Sequence, residues 1–229
     1  MMLVCLDLHT VTDEIMESGG ITSKKADTLN FDGLSEIKKG EVEFEKAEYL
    51  IQMHLGSVSA KVSRLYSLAD TDSNQTLVKK FKIFVNEGGK PTLLHSVIPV
   101  AELDPKTNPI QEVISRGFEI PDTGVFVPCG ISNLKIDKSS GEVPVLLCKV
   151  AVKRSHSLFT TELSMEKIHH LFRSQRFDSI LVQDEEQKDE HPFKSNYILF
   201  NDKQILPTHL AVLKYTEITY GVSPSNIDL

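Results

Sequence analysis

The segment VPVLLCKVAVKRS, at residues 143–155, constrains the fold more than any other part of this chain. It carries no polar side chain from Val143 to Cys148, and apolar residues then alternate with polar ones. An apolar run of this length that passes into period-two alternation is typical of a buried β-strand. The sequence therefore predicts its strongest strand here.

The other segments mix helical and strand patterns without strict alternation. Apolar spacing, capping residues and stop signals predict helices at 41–55, 72–89, 108–120 and 164–177. Short apolar runs predict strands at 57–69, 91–98, 124–128 and 176–183, and two more in the closing segment 195–215. Turn residues predict loops over much of 1–40, and a charged loop is predicted at 184–195. This mixed order favours an α+β fold with antiparallel sheet.

The composition is that of a globular protein with a sizeable core. The 229 residues are 40% hydrophobic and carry a net charge of -7. An acidic balance argues against a broad surface that follows nucleic-acid phosphates, and it favours a protein partner over a duplex nucleic acid.

The cysteines indicate a reducing compartment. Cys5, Cys129 and Cys148 are odd in number and widely spaced, and no C-x-x-C pair is present. The sequence also has no apolar run long enough to span a bilayer. The opening MMLVCLDLHTVTDE lacks the basic region of a signal peptide. These features predict a nuclear or cytoplasmic protein that does not bind a membrane.

Six segments resemble, in chain order, the catalytic domains of the poly(ADP-ribose) polymerase (PARP) family. They are TLLHSV, NPIQEVISRGFEI, GVFVPCGISNL, PVLLCKVAVKRSHSL, FDSILVQ and NYILFNDKQILPTHLAVLKY. The resemblance runs from about Val58 to Tyr215 and implies an ADP-ribosyltransferase-like α+β fold with two antiparallel half-sheets and flanking short helices. It divides the chain into an N-terminal extension at 1–57, the PARP-like domain at 58–220 and a tail at 221–229.

The resemblance also implies a degenerate catalytic site. In the family, NAD⁺ binds with its nicotinamide between the half-sheets. A His holds the adenosine-side ribose, a Tyr stacks on the nicotinamide, and a Glu stabilises the oxocarbenium-like transition state. These positions fall on His95, Phe126 and Asn196. Because an amide carries no formal charge, Asn196 would stabilise developing positive charge far less than a carboxylate.

The rest of the implied NAD⁺ pocket is altered as well. The Gly after the His falls on Ser96, and the small Ser beneath the nicotinamide falls near Leu134 or, with a shift, on Ser132. The covering loop is reduced to PDTG at 121–124, while about ten extra residues, 97–106, follow the His position. His95, Ser96, Phe126, Ser132 and Leu134 would then line a vestigial pocket.

The function implied by this pattern is a PARP-like domain that has lost NAD⁺-dependent ADP-ribosyl transfer. It would need no cofactor and would serve as an interaction or scaffold module. One alternative is an active mono-ADP-ribosyltransferase, a glycosyltransferase that uses NAD⁺ to modify protein or nucleic acid. Another is a structural subunit of a larger assembly, which gains weight if residues 1–57 pack on the fold.

Each of the three positions also has a simpler interpretation. His95 lies in a short apolar strand, where a histidine is commonly a hydrogen-bonded core residue. Phe126, between two valines, reads as a core aromatic, and Asn196 reads as a turn amide that satisfies backbone groups.

Several other residues suggest weaker hypotheses. A basic patch that could contact nucleic acid would contain Lys149, Lys153, Arg154, Arg173 and Arg176. The alternative is a solvated charged surface. Glu166, His169 and His170 suggest a metal, but adjacent histidines on a helix face different directions, so none is predicted. Cys129 is expected to be exposed, yet no base is assigned beside it.

Overall fold

The computed structural model describes residues 34–55, 59–68, 72–106, 109–129, 141–184 and 195–216. The strands are β1 Ser35–Ile37, β2 Ala60–Ser67, β3 Thr92–Pro99, β4 Val125–Pro128, β5 Glu142–Val152, β6 Ser155–Phe159, β7 Ser179–Gln183, β8 Asn196–Leu199 and β9 Ile205–Tyr215. The helices are α1 Val42–Leu55, α2 Asp72–Asn86, α3 Ile110–Arg116 and α4 Met165–Ser174. Short 3₁₀ turns lie at Val100–Glu102, Thr160–Glu162 and Asp202–Gln204. Within these ranges, none of the helices combines the length and the apolar character needed to cross a bilayer.

The strands form two sheets. The five-stranded sheet has the order β1-β2-β9-β5-β3, and the four-stranded sheet has the order β4-β8-β7-β6. Every pairing is antiparallel except that of β6 with β7, which α4 connects. Two largely antiparallel half-sheets with short helices confirm the predicted α+β class. Strand β5 has neighbours on both sides, which explains its long apolar run.

The main core lies between the two sheets, and we call it the inter-sheet core. Its fully buried members include Leu146, Cys148 and Val150 of β5, Val127 of β4 and Leu199 of β8. Helix α3 contributes to the same cluster. Burying side chains of this size is the main stabilising contribution to the fold, at roughly 1.5–3 kcal/mol each.

Each sheet also has an outward face, which a helix partly covers. Helix α1 packs on the five-stranded sheet through Phe44, Ala47 and Ile51. Helix α4 packs on the four-stranded sheet through Ile168 and Leu171. Within residues 34–55, β1 is therefore an edge strand of the five-stranded sheet and α1 packs on its outward face.

A single buried amide ties the sheets together at their crossing point. The Gln204 side chain accepts hydrogen bonds from the backbone N–H groups of Phe200 (3.1 Å) and Asn201 (3.0 Å). Its Nε2 donates to the carbonyl of Ala151 in β5 and to Asp178 just before β7, both at 3.3 Å. One side chain therefore joins a strand of the first sheet to the entry of a strand in the second.

The structure corrects parts of the sequence prediction. The strand predicted at 143–155 ends at Val152, and a turn leads to β6, which was not predicted; β1 was not predicted either. Asp178 holds this turn by accepting from the N–H groups of Lys153 (3.2 Å) and Arg154 (2.8 Å). The helix predicted at 108–120 is shorter, because Gly117 ends it with a φ of 87°.

Several predictions fall outside the described residues. They are the loop and extension before residue 34, Cys5, Asn108, Ser132, Leu134, most of the charged loop 184–195 and the tail 221–229.

Candidate functional site

The positions His95, Phe126 and Asn196 lie on strands around the junction of the two sheets. His95 is on β3, the edge strand of the first sheet, and Phe126 is on β4, the edge strand of the second; the two strands contact each other. Asn196 begins β8, opposite Pro128 of β4. The structure thus brings the three positions to adjacent strands.

All three side chains point away from the inter-sheet core. Side chains alternate along a strand, so His95 shares the outward face of its sheet with Val97, which packs beneath α1. Val127 and Leu199 are in the inter-sheet core, so Phe126 and Asn196 share the opposite face of the second sheet. Phe126 and Asn196 therefore lie side by side on one surface.

His95 is half-buried and sits in a basic environment. Burial, and then the charges of His54 and Lys149, lower the pKa of His95 below its ordinary value. Its strand partner across β5 is Lys149, and its backbone carbonyl lies 2.9 Å from Nε2 of His54. The ring is therefore held neutral at pH 7, in the form that can both donate and accept a hydrogen bond.

Ser96 is fully buried and points the other way, into the inter-sheet core opposite Cys148. Its Oγ has no hydrogen-bond partner among the described residues. A serine in place of glycine at this position therefore adds a side chain to the core, and it leaves the face that carries His95 unobstructed. The sequence could not show this, because it depends on which face each strand residue takes.

Phe126 is 51% exposed. The alternative that it is a core aromatic is therefore wrong; its neighbour Val127 takes that role at full burial. A phenylalanine offers an aromatic surface without the hydroxyl of a tyrosine. Leu93, on the outward face of β3 two residues before His95, is also exposed, at 58%.

Asn196 is half-buried, and its side-chain amide makes no hydrogen bond to the described part of the chain. The alternative that it serves as a turn amide finds no support in these contacts. Its strand neighbours are Pro128 and Val182, which carry no charge. The position supplies a neutral amide where the family resemblance implies a carboxylate.

The segment between α3 and β4 is a tight turn. Gly124 donates its N–H to the carbonyl of Pro121 at 2.8 Å, which closes PDTG as a β-turn. Gly124 has a φ of 76°, and a Cβ built there would lie 2.4 Å from Cγ2 of Ile198. Glycine is therefore required for this turn to meet β8.

The five residues of the predicted basic patch lie in different environments. Lys153 directs its Nζ to the carbonyls of Phe84 and Glu87 at the end of α2, and it lies 4.6 Å from the centroid of the Phe84 ring. Its charge is engaged by a helix C-terminus and an aromatic face. Lys149 lies on β5 beside His95, whereas Arg154, Arg173 and Arg176 are exposed near α4 and the start of β7. Nucleic-acid binding stays a prediction.

Two weaker hypotheses receive no support. Cys129 is partly buried, contrary to expectation, and burial raises the pKa of its thiol to about 12, which disfavours the nucleophilic thiolate. Burial likewise raises the pKa of Cys148. Glu166, His169 and His170 line an open depression along α4, but no metal-binding group of three His, Cys, Asp or Glu side chains occurs within the described ranges.

The fold matches a solved structure. The crystal structure of the TASOR pseudo-PARP domain superimposes with a TM-score of 0.56 over 80% of this chain and 99% of that one, at 11% sequence identity. This chain therefore has a PARP-like fold. The fold implied by the sequence resemblance is confirmed. No family model matches the chain, and the search of curated proteins finds no match.

Proposed function

We propose that this domain is a PARP-like pseudoenzyme that binds protein partners and does not transfer ADP-ribose from NAD⁺. The observation that carries the proposal is the pair Phe126 and Asn196, side by side on the outward face of the second sheet. The first has no hydroxyl and the second has no charge, at the two positions where the resemblance implies a Tyr and a Glu.

Cleavage of the nicotinamide–ribose bond builds positive charge on the ribose. Removing a single preorganised stabilising group from an active site typically lowers kcat about 10²–10³-fold. Here the group at the carboxylate position is an uncharged amide flanked by Pro128 and Val182. The loss of this stabilisation supports an inactive domain.

The covering segment supports the same conclusion. A closed active site excludes water and strengthens the electrostatic interactions within it. The β-turn at 121–124 is too short to fold over a bound nicotinamide. Leu93 on β3 and Phe126 on β4 are each more than half exposed, and exposed apolar side chains are common in protein-binding surfaces.

The solved structure of similar fold is described as a pseudo-PARP domain, which agrees with this proposal. The two other functions stay predictions: an active mono-ADP-ribosyltransferase and a structural subunit of a larger assembly. Nuclear or cytoplasmic localisation stays a prediction as well.

Isothermal titration calorimetry with NAD⁺ tests the proposal directly. We expect no saturable heat into the low-millimolar range and no thermal shift. Saturable binding together with labelling of the protein by radioactive NAD⁺ would overturn the pseudoenzyme and establish the transferase alternative. Binding without labelling would show that the domain holds NAD⁺ without transferring ADP-ribose, and would contradict only the expected absence of NAD⁺ binding.

A double variant distinguishes the effect of the two replaced side chains from the effect of the shortened covering loop. In Phe126→Tyr with Asn196→Glu, both side chains are outward, so the fold should tolerate the change. We expect this variant still to lack NAD⁺ labelling, because the turn at 121–124 leaves the site open to water. Strong labelling by the variant alone would show that the two side chains are the whole defect.

A further inference from the structure

Helix α1 carries an exposed apolar stripe on the side opposite its buried face. The stripe consists of Val42, Tyr49 and Met53, whose exposed fractions are 70%, 64% and 58%. These are three of the six large hydrophobic residues that are markedly exposed in the described residues. Single exposed apolar residues are ordinary, whereas three on one helix face form a row that a partner can contact.

The spacing places the three side chains in one row. Val42 and Tyr49 are seven residues apart, and Tyr49 and Met53 are four apart. At 3.6 residues per turn, they fall within about 40° of each other around the helix axis. The buried residues Phe44 and Ile51 lie on the opposite side and fix the helix to the sheet. The stripe is therefore presented rigidly to solvent.

One flank of the stripe is acidic. Helical geometry places Glu45 and Glu48 together on that flank, and Lys46 on the other. Glu43 points away from this surface, because its carboxylate lies 3.0 Å from Nε2 of His209. A partner that covers the stripe must therefore meet an apolar row with negative charge along one side.

We propose that this stripe docks an amphipathic helix of a partner protein whose apolar face is bordered by Lys or Arg. A row at positions i, i+7 and i+11 matches the spacing of apolar residues on a second helix. Basic residues bordering that helix would pair with Glu45 and Glu48. The inference rests on the proposed role as an interaction module, but not on the loss of NAD⁺ binding.

A second copy of this chain is a poorer occupant. Two α1 helices packed antiparallel about a two-fold axis would place the glutamates of one copy near those of the other. Like charges across an interface oppose association. The charge pattern therefore favours a basic partner over self-association.

The test uses synthetic helical peptides about three heptads long. The probe carries Leu on one face bordered by Lys; one control peptide has Glu in place of each Lys, and another has the Leu positions scrambled. Fluorescence anisotropy with the full chain should show saturable binding of the Lys-bordered probe. It should show binding at least about tenfold weaker for both controls.

Two variants assign the binding to the stripe. Tyr49→Ser with Met53→Ser removes the apolar row, and Glu45→Lys with Glu48→Lys inverts the flank; each should weaken probe binding about tenfold or more. Ile83→Ser removes an exposed apolar residue from α2 and should leave binding unchanged. Circular dichroism melts confirm that every variant is folded.

Several outcomes would overturn the proposal. Equal binding of all three peptides, or equal binding by the stripe variants, would mean that the stripe is not a docking site. A dimer in analytical ultracentrifugation that the stripe variants abolish would assign the surface to a second copy. Probe binding that appears only after deletion of residues 1–33 would assign it to this chain's own N-terminal segment. If the calorimetric titration showed NAD⁺ binding, the interpretation of the peptide measurements would not change.

Discussion

Inward and outward residues of the same strands differ sharply in what they do. In β4, Val127 is fully buried while Phe126 is half exposed; in β8, Leu199 is fully buried while Asn196 lies on the outward face. Because side chains alternate along a strand, the residues that hold the sheets together are different from those at the candidate site. A PARP-like fold can therefore persist while the groups needed for catalysis are absent.

The largest expected effect comes from an inward residue. Leu199→Ala should lower the free energy of unfolding by about 3 kcal/mol, because it leaves a cavity in the inter-sheet core. Phe126→Ala, on the adjacent strand but outward, should cost less than about 1 kcal/mol. Urea denaturation of both variants measures the contrast. Comparable losses would contradict the division between the two sets of residues.

The next effect tests how tightly the β4 entry is packed. Gly124→Ala should cost about 2 kcal/mol or more, since it combines a positive φ with a clash against Ile198 and the carbonyl of Leu199. Gly88→Ala is the matched control, with a φ of 64° and no atom within 4 Å of the added Cβ. It should cost about 1 kcal/mol. Equal losses would show that the PDTG turn tolerates rearrangement.

A third substitution is expected to raise the free energy of unfolding, by a smaller amount. Ser96→Ala removes a buried hydroxyl that lacks a partner and should stabilise the domain by up to about 1 kcal/mol. Ser179→Ala is the control: that hydroxyl is equally buried but lies 2.7 Å from Oγ of Ser155, so its loss should destabilise by about 1 kcal/mol. Thermal melts compare the two. Destabilisation by Ser96→Ala would indicate that its hydroxyl is paired.

The smallest expected effect is a pH dependence of the free energy of unfolding that arises from His95. Burial lowers the pKa of His95 in the folded state, so the unfolded chain binds the proton more readily, with a pKa of about 6.5. Stability linked to the neutral ring is complete above that pH and falls as the pH drops below it. The difference in unfolding free energy between wild type and His95→Gln should shrink from about pH 7.5 to about pH 5.5. A constant difference would mean that the pKa is not lowered.

The sequence predicted the elements with strong local patterns. Strand β5, helices α1, α2 and α4, and the closing strands β8 and β9 have continuous or periodic apolar residues, and the structure contains all of them. Two strands were not predicted: β1, which has three residues, and β6, whose sequence SHSLF is largely polar. Both are short edge strands, which bury few side chains and therefore leave a weak apolar pattern.

Side-chain direction at the candidate site could not be predicted. The inward turn of Ser96 and the exposure of Phe126 depend on strand register and on which face packs against the second sheet. The contact of Lys153 with the end of α2 joins residues 69 and 66 positions apart, and no local pattern signals it.

The hydrogen bonds of Gln204 limit how the two half-sheets can move. A hinge motion that separated Ala151 from Asp178 would break at least one of the two hydrogen bonds that Nε2 of this fully buried side chain donates. The domain is therefore expected to behave as one rigid body at this crossing, with slow hydrogen exchange at the backbone N–H groups of Phe200 and Asn201.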